Sequence, residues 1–111
     1  METVDAGQTL APILHLVEHD VFGERRWTGR AVLEGVICLD VLVLRFRGAL
    51  MGVRNRCPHR DLPLLLGRLD EDEGFLECPS HGWQIKLDGP ELRPRPVVER
   101  DGQFYLVVGG G

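Results

Sequence analysis

The stretch DVLVLRF at 40–46 alternates without a break, placing Leu42, Leu44 and Phe46 on one face and Val41, Val43 and Arg45 on the other. A two-residue period predicts a strand with two separate faces. Arg47 and Gly48 then supply a tight turn, and ALMGVRN at 49–55 reads as the returning strand, so a β-hairpin leads directly to Cys57. VVERDGQFYLVV at 97–108 repeats the logic: Asp101 and Gly102 tolerate positive φ, and Phe104, Leu106 and Val108 alternate with Tyr105 and Val107. Shorter strands are predicted over 12–18, 25–33, 74–77 and 83–87. No window carries a sustained 3.6-residue stripe, so the pattern predicts an antiparallel, mostly β domain in which long loops are left over.

A chain of 111 residues has room for one such domain, placed at 10–108 between flexible tails at 1–9 and 109–111. No apolar run approaches the roughly 18 residues that span a bilayer, and METVDAGQTLAP is acidic and without the basic and apolar regions of a leader, which predicts a cytoplasmic protein with no membrane partner. The net charge of −4 argues against nucleic acid, whose binding rests on Lys and Arg neutralising phosphates. Three cysteines, Cys38, Cys57 and Cys78, make a poor disulfide framework, and metal binding is the better use of two of them.

Two of the leftover loops contain the same donor pair. CPH sets Cys57 and His59 one residue apart, and CPSH sets Cys78 and His81 two residues apart, with 18 residues (60–77) between His59 and Cys78. Thiolate and imidazole are the side chains that take zinc, other late transition metals and iron–sulfur irons. A zinc finger gathers four donors at one point and usually pairs like ligands on one loop. A two-iron cluster with two cysteines on one iron and two histidines on the other is elongated, and suits two adjacent loops that each give one sulfur and one nitrogen.

In these motifs, and in the flanking CPHRDLPLLLG and ECPSHGWQI, the chain resembles the Rieske-type ferredoxins. The likeness runs from about Asp40 to Val108; the N-terminal third departs from the family's usual opening strands. It implies a Rieske-type antiparallel β-sandwich with a small cluster-binding subdomain of two ligand loops at about 55–90, a [2Fe-2S] cluster held by Cys57, His59, Cys78 and His81, and no catalytic residues. It implies a monomeric one-electron carrier that passes electrons from an NAD(P)H-dependent flavin reductase to a terminal Rieske oxygenase. The histidines would stand at the domain's tip, near solvent. Two other readings share the motif: the small Rieske subunit of a nitrite reductase-like complex, and a zinc-stabilised binding module. Respiratory members brace the cluster with a disulfide between positions that here are Leu62 and Ser80, and place a hydroxyl where Trp83 stands. Fewer donors to the cluster sulfurs disfavour the added electron, so the resemblance implies a potential near about −150 mV, the low end of the Rieske range.

The remaining polar and aromatic residues receive structural readings. Cys38, in the apolar GVICLDVLV, reads as core, and His15 and His19 in PILHLVEHD sit on a strand rather than form a second metal site. DEDEG at 70–74 reads as a solvated hairpin tip, Trp83 as packing on the cluster's flank, and Trp27 as packing or surface.

Overall fold

The computed structural model describes residues 9–33, 37–57, 62–79 and 82–109. Nine strands make up the described fold: β1 (Thr9–Val21), β2 (Glu24–Leu33), β3 (Ile37–Phe46), β4 (Ala49–Arg54), β5 (Arg68–Asp70), β6 (Phe75–Glu77), β7 (Gln84–Lys86), β8 (Arg95–Arg100) and β9 (Gln103–Gly109). Among the described residues no helix is long and apolar enough to cross a membrane. The tails expected at the termini fall, in their parts 1–8 and 110–111, outside the described residues.

The antiparallel β domain and its small subdomain form as expected, but the layers of the sandwich are joined at both edges. Strands β1-β2-β3-β4-β8-β9 close into a barrel, and β5-β6-β7 form a separate sheet. Closure depends on β1, which pairs with β9 through Thr9↔Gly109 to Pro12↔Tyr105 and with β2 from Ile13↔Ala31 onward. Its register with β2 shifts between Leu14 and Val17, where His15 adopts φ 57°, a bulge that bends the strand around the barrel. Three hairpins turn on two residues with φ near +50 to +90° at both positions: Phe22-Gly23, Arg47-Gly48 and Asp101-Gly102. These mirror-image turns match the right-handed twist of their strands. The Phe22 turn was not legible, because a bulky aromatic rarely takes positive φ.

The alternation of β3 separates two cores. Val41 and Val43 point into the barrel with Ile13, Ala31, Phe104 and Leu106, while Leu42 and Leu44 point outward onto Leu64, Leu76, Ile85 and Leu87. Each such buried side chain contributes about 1.5–3 kcal/mol by leaving water. Strand β4 repeats the division, with Leu50 packed on the inner cluster and Met51 and Val53 on the outer one. Trp27 meets Phe104 edge-to-face, with centroids 5.0 Å apart, which settles it as packing on the barrel core. The backbone of Cys38 pairs with Val32, and its side chain lies outside the described part of the structure.

Candidate metal centre

The first cysteine loop leaves β4 and returns as β5; the second joins β6 to β7. Both open on a buried cysteine. Cys57 is 2% and Cys78 1% exposed; neither is in a disulfide, and both belong to the outer apolar cluster, which brings the two loop entrances together.

The loops are closed in the same way. The amide of Cys57 donates to the carbonyl of Leu62, and that of Cys78 to the carbonyl of Trp83, each at 2.7 Å and each spanning five residues. One residue more between Cys and His in the second motif therefore leaves the loop span unchanged. His59 and His81 fall inside these spans and lie outside the described residues, as do Pro58 and Ser80. Among the described residues no group of three or more potential ligands forms.

Further bonds fix the flanks. Asn55 accepts the amide of Leu64 at its Oδ1, 2.9 Å, and its own amide donates to Asp40; Gly67 donates to Leu64. Gly82, at φ 70°, donates to the carbonyl of Cys78. The Gly67 backbone approaches β6 so closely that a methyl group there would collide with the carbonyl of Glu77, the residue before Cys78. The exit of the first loop thus lies against the entrance of the second.

Nothing in the residue pattern singles out Arg26. Arginine is seldom buried, yet this side chain from β2 is 1% exposed, and its Nη1 donates to the carbonyls of Leu65 (2.6 Å) and Gly67 (2.7 Å). Nη2 lies 3.7 Å from Glu24, which is half exposed, and Nε has no partner among the described residues. Burial holds the guanidinium below its ordinary pKa, with Glu24 acting in the opposite direction.

Apolar side chains surround the loops on the surface. Phe22, Leu66, Arg68, Pro79 and Gly82 line a depression of about 210 Å³ reached by Cys78, and Arg68 stacks over the Phe22 ring at 5.3 Å. Phe22 (63%), Leu66 (60%), Trp83 (51%) and Leu62 (39%) are all exposed. About half of Trp83 is open to solvent; the loop segments whose flank it was expected to cover lie outside the described residues. The DEDEG segment is the tip of the β5–β6 hairpin as expected, with Asp70 Oδ1 accepting the amides of Asp72 and Glu73 and Arg47 donating to Glu71. His15 and His19 occupy strand β1, where they join no group of potential metal ligands among the described residues, and His19 bonds Thr28 at 2.9 Å.

Two buried free thiols at the heads of two like loops, with an imidazole donor in each loop's sequence, fit a mixed-ligand two-iron cluster. The comparisons agree. Residues 15–100 match the Rieske [2Fe-2S] domain, which extends the likeness through the N-terminal strands that had looked divergent. The ferredoxin component of the alkene monooxygenase system of Xanthobacter autotrophicus is 33% identical over 86 residues, 77% of this chain and 68% of that protein. The oxygenase subunit of 3-chlorobenzoate-3,4-dioxygenase from Comamonas testosteroni is 40% identical over 79 residues, and chloroplastic chlorophyllide a oxygenase from Arabidopsis thaliana 33% over 69. This chain spans only 18% and 12% of those two proteins. No solved structure gives a significant match. Matched over most of its length, the chain belongs to the Rieske [2Fe-2S] domain family, whose cofactor is a [2Fe-2S] cluster held by cysteine and histidine.

Proposed function

We propose that this chain is the ferredoxin of an oxygenase system, a one-electron carrier and not itself an enzyme, with residues 10–108 as a single Rieske unit. Cys57 and Cys78 would hold one iron and His59 and His81 the other. Bound there, the cluster supplies reversible one-electron chemistry. The observation that carries this reading is the pair of like loops, each headed by a buried free cysteine, in a chain covering 68% of a monooxygenase ferredoxin component.

The residues around the loops suit a carrier. The closing bonds from the Cys57 and Cys78 amides and the Leu64–Asn55 bond tie down the ends of the loops, which favours little rearrangement there on a change of charge. The exposed collar of Phe22, Leu62, Leu66 and Trp83 gives protein partners an apolar surface at the loop end of the domain. The partners in this reading are an NAD(P)H-dependent flavin reductase and a terminal oxygenase, met in the cytoplasm by a monomeric carrier.

The test is spectroscopic, then functional. The purified protein is expected to be brown, to bleach with dithionite and to give the EPR signal of a mixed-ligand cluster; colourless protein with one zinc per chain would overturn the assignment. NADH with a ferredoxin-type flavin reductase is expected to bleach the same band. Leu62 and Trp83, standing where a disulfide cysteine and a hydroxyl would raise the potential, lead us to expect a midpoint near about −150 mV. A redox titration centred well above 0 mV contradicts that expectation.

A further inference from the structure

Arg26 lies outside both ligand motifs, yet it is the largest fully buried side chain among the described residues and the one buried charge among them. Its compensation is incomplete. Two of its contacts are neutral carbonyls, its Nε is unpartnered among the described residues, and Glu24 is 3.7 Å away and itself half in water. A positive charge so little exposed acts over longer distances than a surface charge, because solvent screens it less.

The position of that charge is specific. The carbonyls it binds, at Leu65 and Gly67, belong to the turn that ends the first ligand loop, and Gly67 is pressed against Glu77 at the entrance of the second. One guanidinium therefore braces the place where the two loops meet, from the barrel side.

We propose that Arg26 is a positioning residue that tunes the redox centre: it fixes the junction of the two ligand loops and, by its buried charge, favours the reduced state. The inference rests on the ligand assignment above. Reduction adds one electron from an external donor and so one negative charge, which an incompletely compensated cation braced against the ligand loops stabilises. The same guanidinium keeps two carbonyl dipoles, Leu65 and Gly67, aimed at itself.

Redox titration with EPR on purified holoprotein tests this. R26Q keeps a donor but loses the charge, and its reduced-to-oxidised ratio at a fixed ambient potential is expected to fall several-fold, whereas R26K, which keeps the charge, returns most of that loss. A cluster-bearing R26Q with the wild-type midpoint, or R26K as low as R26Q, would overturn the proposal. Should R26Q not fold, the comparison of E24Q with E18Q decides. Both acids lie on the β1–β2 hairpin and are about equally exposed, but only Glu24 offsets Arg26, Glu18 pairing instead with Arg25. E24Q is expected to raise the midpoint more than E18Q, and equal shifts would count against Arg26. Wild-type protein lacking the mixed-ligand EPR signal would remove the ligand assignment itself, a failure distinct from any of these.

Discussion

In the barrel, strands of six to thirteen residues close their hydrogen-bond ladder on themselves, whereas β5, β6 and β7 have three residues each and leave both edges of their ladder open. The barrel also owns its core: the inward faces of its strands meet one another. The small sheet borrows one. Leu64, Leu76, Ile85 and Leu87 are buried because the outer face of β3 and β4 covers them, and the two cysteines complete the same cluster. A three-stranded sheet of this size is marginal alone. The difference assigns structural rigidity to one region and dependence on the bound metal to the other, since ligand binding to the folded state stabilises it.

Removing a thiolate is the strongest way to separate the two regions. Cys78→Ala is expected to abolish the visible absorption entirely and to speed hydrogen exchange at the amides of β6 and β7, while β1–β4, β8 and β9 keep their protection. If barrel amides lose protection in step, the two regions are one cooperative unit and the contrast is wrong.

Cavities cut into each core come next. Leu76, fully buried beside the loops, and Leu106, 2% exposed inside the barrel, are each expected to cost about 2–5 kcal/mol as alanine. Denaturant titration followed by visible absorbance and by far-ultraviolet circular dichroism distinguishes them. Leu76→Ala is expected to release the cluster before the barrel unfolds; Leu106→Ala is expected to bring both transitions down together.

What the sequence showed of these two regions follows from how local each signal is. The faces of Leu42–Leu44 and Val41–Val43, the turns at Arg47-Gly48 and Asp101-Gly102, and the Cys-x-His and Cys-x-x-His motifs are all set within a few residues, and all were legible. That β3 buries both faces was not, because the second core comes from residues 64–92, far along the chain. Barrel closure was hidden for the same reason, since Thr9 pairs with Gly109. Strand β5 has one apolar residue, Leu69, too few for any period. Arg26 defied the expectation that charged side chains stay in water, and only its two carbonyl partners, 39 and 41 residues away, explain its place. The ligand motifs named the cysteines; the equal closure of the two loops at Leu62 and Trp83 could be seen only in the fold.

The mildest perturbation is in a barrel turn far in sequence from either loop. Gly102 has φ 78° and open space around a would-be methyl group, so Gly102→Ala meets no collision and costs only the left-handed backbone, about 1–2 kcal/mol. Because Asp101-Gly102 joins β8 to β9, whose inward residues pack on the barrel core, the loss is expected in the midpoint of thermal unfolding alone. The visible spectrum, the EPR signal and the redox midpoint of the folded variant are expected to match wild type. A shifted redox midpoint in Gly102→Ala would mean that strain in the barrel reaches the ligand loops, and the separation drawn between a rigid barrel and a metal-dependent small sheet would have to be abandoned.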